Sequence, residues 1–534
     1  MDNRLNTAVH IPGKLPKNDR DRSIPKGVST TRNIAWNIAS KLVWTIVTII
    51  LTPILIHGLG DFEYGIWALT LSLLGSYSLM DSGLRLTFQR FVARLTGKDE
   101  RQGLDQIFAT VMALMMGISL LALGLTPIMV FILPRFFHIA AASRPLFGWL
   151  VVLVGLSVAI DCPVRGLNNY LTGLQRFDLS NLAIIVTTTI RAVLFVVALR
   201  LGYGLLGVAG VALGMEVLSL PLYWGLVRRA DPGAVLWPRL FSWSRTREVL
   251  GYSFFAYLSY GGDYLRYSVD SAVIGKVLTV ALVTPFSIVG RLMDNFRGIV
   301  GLFTSPLMPR MSALDGQSRA KELSDFFFRS TKVTAIISLY IGCLAILDGK
   351  SLLRIWIGER YVSSYSLLWV LALAYTVVLV QFPSASLMYA KGRHRLLGWW
   401  TLGEGMVNLV LSVFWAHKYG LIGVALGTAV PMLAIGIFIQ PAYVTYLLKV
   451  SPLHYFRKAF LRPFLCGAIF TAISLFAFSG QTQTKLLPFA LIVIAQSVLF
   501  GTLAYVIGLD REEQREARQR CFNAAHTMRL LRTS

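Results

Sequence analysis

Four stretches of this chain, Gln106–Pro134, Tyr361–Ala390, Tyr419–Leu448 and Leu486–Leu509, contain no Asp, Glu, Lys or Arg. Each exceeds the ~20 residues a helix needs to cross the hydrocarbon core of a bilayer. Backbone amides in hydrocarbon must be satisfied within their own segment, which leaves helices or a closed barrel. Barrel strands are short and alternate in polarity, whereas these blocks are long and continuous. The pattern predicts an all-α polytopic membrane protein. Composition agrees: 15% of residues are charged, against about 25% in ordinary soluble chains.

Placing a span on every comparable block predicts fourteen, with the ninth short, near 333–347. The distribution of basic residues tests the count. Of the 51 Lys and Arg, 36 fall in the two tails and in alternate loops, nine in the intervening loops and six inside spans. Cytoplasmic loops carry the excess of positive charge, so both termini are expected in the cytoplasm. The net charge of +24 is thus accounted for by topology, and no nucleic-acid partner is expected. Residues 1–32 lack an apolar core beside a cleavage site and read as a basic cytoplasmic tail. The tail at 511–534 begins REEQREARQR, a charged surface helix. The four cysteines and seven histidines are scattered without ligand spacing, and no metal site is expected.

YGLLGVA at 203–209 recurs as YGLIGVA at 419–425. Each copy opens an apolar span, follows another, and lies between basic loops in the same order. The chain therefore divides into an N-lobe of six spans (33–230), a cytoplasmic linker (231–248), a C-lobe of six spans (249–448) and two further spans (449–510). Six crossings is an even number, so the lobes are expected to be pseudosymmetric in a parallel repeat. The glycines of the motif, spaced by three and four residues, are read as sites of close helix packing.

Ionisable groups inside spans are costly and face protein or a water-filled cavity. The basic ones are Lys41, Arg165, Arg191, Arg266, Arg291 and Arg297; the acidic ones are Asp161, Glu216, Asp263, Asp270, Asp294 and Glu404, with Asp81 near a cytoplasmic boundary. Asp263, Arg266 and Asp270 share one helix face. Two readings stand side by side. In one, the charges line a cavity between the lobes, with Lys41, Arg191, Arg266, Arg291 and Arg297 holding an anionic group. Glu216, Asp263, Asp270, Asp294 and Glu404 would then be candidates for a coupling H+ or Na+. In the other, they pair structurally, Arg266 with Asp270, Arg291 with Asp294 and Asp161 with Arg165. The chain has no GxxxxGK[ST] phosphate loop and no HExxH, and its loops leave little room for a catalytic domain. No enzyme and no cofactor are expected.

Residues 33–95 carry NIAWNIASKLVWTIVTIILTPILI, then LGDFEYGIWALTLSLLGSYSLMDSGL and the start of RFVARLTG. The second half adds YSFF at 252–255, VDSAVIGKVL at 269–278 and PLMPRMSAL at 306–314. In this order they resemble the polysaccharide transporters of the multidrug/oligosaccharidyl-lipid/polysaccharide (MOP) export superfamily. The resemblance implies two six-helix lobes around a cavity lined by the first, second, seventh and eighth helices. It implies alternating access and movement of a polyprenyl-diphosphate-linked oligosaccharide across a bacterial inner membrane, as in O-antigen and exopolysaccharide flippases. It implies a polysaccharide polymerase or co-polymerase as a further partner, and Asp81 and Arg85 as gate residues. A multidrug or cation antiporter of the same superfamily is the alternative, and a membrane polymerase or ligase a third. The orientation is directly measurable. Green fluorescent protein fused after Ser534 should fluoresce, and alkaline phosphatase fused at the same point should be inactive; the reverse pattern would refute a cytoplasmic C-terminus.

Overall fold

In the computed structural model, residues 30–235, 240–478, 483–515 and 518–519 are described, and the side chains of 74–82 are not among them. The expected gate residue Asp81, residues 1–29 of the N-terminal tail and 520–534 of the C-terminal tail therefore lie outside the described residues. Among the described residues, eighteen α-helices account for the fold. The first bundle contains α1 (Thr30–Gly97), α2 (Arg101–Phe136), α3 (Arg144–Gly173), α4 (Phe177–Arg200) and α5 (Gly204–Ala230). The second begins with α6 (Trp243–Tyr267), α7 (Asp270–Val277), α8 (Val283–Thr304) and α9 (Leu307–Gly316). It continues through α10 (Ala320–Leu347), α11 (Gly349–Trp356), α12 (Tyr365–Val380), α13 (Phe382–Ala390), α14 (His394–Ala434) and α15 (Gln440–Leu448). The chain then runs through α16 (Pro452–Ala459), α17 (Leu461–Phe478) and α18 (Leu486–Leu503).

Among the described residues, nine helices are long and apolar enough to cross a membrane, or ten if the bent pair α16–α17 is one span. That is fewer than the fourteen expected, for two physical reasons. Two of the nine are double-length helices broken at a single left-handed glycine: α1 at Gly60 (φ 74°) and α14 at Gly420 (φ 59°). The segments expected as the seventh and eighth spans are helical but fall short of that test, and they hold the densest intramembrane charge. The ninth is not short: α10 starts at Ala320, so Arg329 and Lys332 sit on the helix rather than in a loop.

The repeated heptapeptide has a conformational counterpart. Gly204 and Gly420, at the same position of the two copies, both adopt positive φ, 55° and 59°. At this point one apolar helix ends and the next begins, and a side chain would be strained there. The next glycine of each copy is also constrained. A Cβ on Gly207 would meet Tyr203 Cβ at 2.3 Å, and one on Gly423 would meet the Trp415 carbonyl oxygen at 2.1 Å. Gly210 and Gly214 differ from expectation, because nothing lies within 4 Å of a Cβ at either position. In the first bundle α1 packs on α4 and α3 on α5; in the second α6 packs on α14, as does α12.

The bundles meet along α1 against α6, α7 and α8. This seam is polar. Ser72 donates to the Ser268 carbonyl (2.5 Å), Tyr264 donates to the Ser72 carbonyl (3.1 Å), and the hydroxyls of Thr87 and Ser253 lie 2.9 Å apart. Gly83 permits the approach, since a Cβ there would stand 2.6 Å from the Tyr257 ring. At the end expected to face outward, Pro53 lies inside α1 and cannot donate to the carbonyl four residues back. That carbonyl, of Ile49, accepts the Trp356 indole N–H from the other bundle at 2.7 Å. Asp61, in the turn after Gly60, accepts from the Tyr361 hydroxyl and pairs with Arg360, while its carbonyl accepts from Thr284 at 2.5 Å.

The charged segment after α18 does more than cover the surface. Lys332, 4% exposed, meets Asp510 at 2.5 Å and Glu513 at 3.0 Å, fastening this segment to α10. A pair of neighbouring glycines tests the packing of the second bundle. A Cβ on Gly262 would lie 2.5 Å from the Thr401 carbonyl carbon, whereas one on Gly261 meets nothing within 4 Å. Gly262→Ala should lower the melting temperature of the purified protein by an amount equivalent to about 1–3 kcal/mol. Gly261→Ala should be neutral or slightly stabilising. Equal effects would show that α6 and α14 are not in backbone contact.

Candidate functional site

The intramembrane charges separate into three groups. The first lines a cavity of about 480 Å³ in the first bundle, enclosed by α1, α3, α4 and α5 and reached by Arg291 of α8. Asp161 and Arg165, one turn apart on α3, pair at 2.5 Å, as the structural reading expected. Arg191 of α4 and Glu216 of α5 pair at 2.7 Å. Arg191 Nε is buried without a hydrogen-bond partner. Trp44, Trp67, Tyr64 and Phe195 form much of the remaining wall, with Trp67 edge-on to Phe195 at 6.2 Å.

The second group is inside the second bundle. Arg266 pairs with Glu404 of α14 at 2.8 Å, and both are buried. This overturns the expected pairing of Arg266 with Asp270. Although Arg266 and Asp270 are one helical turn apart in number, α6 ends at Tyr267 and α7 starts at Asp270, so the i, i+4 geometry is broken between them. Asp270 instead enters an oxygen-rich cluster. Its Oδ2 lies 2.8 Å from the Thr428 hydroxyl, which is also 3.2 Å from Asn408 Oδ1. The Ser412 hydroxyl is 2.8 Å from Asn408 Oδ1 and 3.3 Å from the Val424 carbonyl. Asn408 is held by donating to the Leu265 and Arg266 carbonyls at 3.0 and 3.3 Å. Two hydroxyl protons thus serve more acceptors than they can satisfy, and Asp270 Oδ1 is buried without a hydrogen bond. Such a set of oxygens suits a proton or a hard cation.

The third group lies along the seam. Arg297 pairs with Asp294 at 3.3 Å, which replaces the expected pairing of Asp294 with Arg291. The Tyr267 ring is flanked by Arg297 at 4.2 Å and Arg266 at 5.0 Å and is backed by Tyr375 at 5.8 Å. Lys41 lies over the Trp44 ring at 4.0 Å, and a Cβ on Gly298 of α8 would come 2.8 Å from its Nζ. Among the described residues neither Lys41 nor Arg291 makes an ion pair. Asp263 is half-buried one turn before Arg266. Arg85 is exposed near the expected cytoplasmic end, 3.5 Å from the Tyr260 hydroxyl.

Sequence reasoning missed Tyr267, Tyr375, Asn408, Ser412 and Thr428. A signal existed for Asn408 and Ser412, polar residues one and two turns beyond Glu404 on the same helical segment, but not for Thr428, which lies past the break at Gly420. Tyr267 and Tyr375 carried none, because aromatic residues are common throughout these spans.

The comparisons with known proteins bear on the family and the fold. The profile of the family described as polysaccharide biosynthesis protein matches residues 30–315. The teichuronic acid biosynthesis protein TuaB of Bacillus subtilis (strain 168) is 24% identical over 292 residues, 53% of this chain and 57% of TuaB. The match thus spans little more than half the length of that relative. Among solved structures, the lipid II flippase MurJ in an inward closed conformation aligns with a TM-score of 0.68 at 14% identity, over 89% of this chain and 99% of its own. A multidrug resistance MATE family transporter of the MOP superfamily, inward-facing, aligns with a TM-score of 0.60 at 17% identity, over 77% of this chain and 99% of its own. At these identities the likeness is one of fold: two helical bundles arranged as in the MOP-superfamily transporters. Its profile match covers more than half of the sequence, and the chain belongs to the polysaccharide biosynthesis protein family.

Proposed function

We propose that this protein carries polyprenyl-diphosphate-linked oligosaccharide units from the cytoplasmic to the outer face of a bacterial inner membrane by alternating access. It would cross the membrane fourteen times, with both termini in the cytoplasm, and hand its cargo to a polysaccharide polymerase. The observation that carries the reading is Arg291. It belongs to the second bundle, projects into the cavity of the first, and has no ion-pair partner among the described residues. An uncompensated guanidinium at membrane depth is expensive, and a diphosphate would offset that cost through forked hydrogen bonds. Lys41, on the facing helix of the same seam and likewise without an ion pair among the described residues, supplies further positive charge. A cationic drug would meet the opposite field, since Asp161, Glu216 and Glu404 are each already paired. The lipid II flippase likeness and the polysaccharide family support transport rather than catalysis.

Asp270 and its oxygen cluster are the proposed seat of the coupling ion, H+ or Na+. The cluster lies beside Arg266, so an ion there would change the field behind the substrate cations.

A strain lacking the protein, with its glycan pathway intact, should accumulate lipid-linked repeat units on the cytoplasmic face, shielded from an external probe. Repeat units that reach the outer face unpolymerised would refute the transport reading. Arg291→Ala should lower export about 10–100-fold, the loss of one or two charge-assisted hydrogen bonds, and Arg291→Lys should recover part of it. Asp270→Asn should leave binding of the lipid-linked oligosaccharide within about twofold. It should also abolish stimulation of transport by an imposed ion gradient in proteoliposomes; unchanged stimulation would remove Asp270 from the coupling step.

A further inference from the structure

We propose that the cavity of the first bundle is a carbohydrate subsite that takes the pyranose units next to the diphosphate; this rests on the transport reading above. Its volume of about 480 Å³ lies within the roughly 300–1,000 Å³ of small-molecule sites. It suits a short run of sugar rings rather than a whole repeat unit or a single ion.

The wall chemistry selects the ligand class. Trp44, half-buried in the wall, offers apolar ring surface against which the C–H side of a pyranose packs, and the buried Trp67 lines the wall beside it. Opposite them stand two complete ion pairs, Asp161–Arg165 and Arg191–Glu216. Sugar hydroxyls both donate and accept, so a diol can donate to a carboxylate and accept from the adjacent guanidinium while each pair stays neutral. Arg191 Nε, buried and without a hydrogen-bond partner, is a donor awaiting such an oxygen.

Other ligand classes fit less well. A polyprenyl chain would leave two ion pairs facing hydrocarbon. A hydrophobic cation would meet Arg291 as a third positive charge against Asp161 and Glu216, both already paired. The position along the helices fits as well. Thr48 lies seven residues beyond Lys41, and Arg291 six residues before Arg297, roughly 9–10 Å along each helix. A diphosphate reaching from Lys41 to Arg291 would therefore place its first sugars in the cavity beyond Arg291.

Filling the cavity without touching a charge tests the assignment. Ala212 on α5 and Ala192 on α4 both line it, so Ala212→Phe and Ala192→Phe occupy it from two independent helices. Binding would be measured in nanodiscs with two probes: undecaprenyl diphosphate, and the sugar-bearing lipid extracted from the strain lacking this protein. Wild type should prefer the sugar-bearing lipid. Each variant should lose about tenfold or more in affinity for it, equivalent to ~1.4 kcal/mol, while binding undecaprenyl diphosphate within about twofold of wild type. Wild type binding both lipids equally, or either variant at wild-type thermal stability retaining full affinity for the sugar-bearing lipid, would overturn the subsite alone. Both lipids weakening in parallel in both variants would assign the cavity to the diphosphate and likewise overturn it. Wild type binding neither lipid would overturn the transport reading and the subsite with it.

Discussion

The absence of water in the hydrocarbon core governs this molecule. Each buried polar group there must find its partner within the protein, at a cost of several kcal/mol if it does not. The backbone meets that demand by remaining helical through the apolar blocks. Side-chain charges meet it by pairing across helices: Arg191 with Glu216, Arg266 with Glu404. Against this background a membrane-depth cation with no ion-pair partner among the described residues, such as Arg291, is the informative exception.

Breaks in helical regularity obey the same demand. Pro53 frees the Ile49 carbonyl, and the Trp356 indole from the other bundle takes it. Gly60 and Gly420 turn the chain where one span passes into the next. These three breaks fall near span ends, where water or a neighbouring side chain is available, whereas Pro163 of α3, Pro221 of α5 and the π-helical turn at Ile435–Ile439 lie deeper in their spans. The seam adds polar contacts to a hydrophobic core that runs through both bundles. Its contacts include hydrogen bonds through Ser72, Tyr264, Thr87 and Ser253, groups that water can satisfy if the bundles part. Rigid-body movement of the bundles, the motion the proposed alternating access requires, would therefore have to open apolar as well as polar contacts along α1.

The two bundles share a helix arrangement but not a chemistry. The first encloses a cavity walled by tryptophans and ion pairs. The second packs the equivalent region with a buried ion pair and a knot of hydroxyl, amide and carboxylate oxygens around Asp270. Between them lies α8, presenting Arg291 to one bundle and Arg297 to the other.

Much of this was legible in the chain itself. The uncharged blocks required helices, because nothing else satisfies a backbone in hydrocarbon. The twin heptapeptides required a repeat, and the shared left-handed glycine is its structural residue. Motif order pointed to the polysaccharide family before any fold was known. Pairing of charges was legible only where it was local, as for Asp161 and Arg165 on one helix face. Tertiary structure alone decided that Arg266 meets Glu404, that Asp270 joins Thr428 and Asn408, and that Arg291 enters the opposite bundle. The physical reason is that spacing along a helix specifies only neighbours one turn away. Which faces of distant helices meet is set by packing over the whole bundle, and in a membrane that packing decides which charges are neutralised and which are left for a ligand.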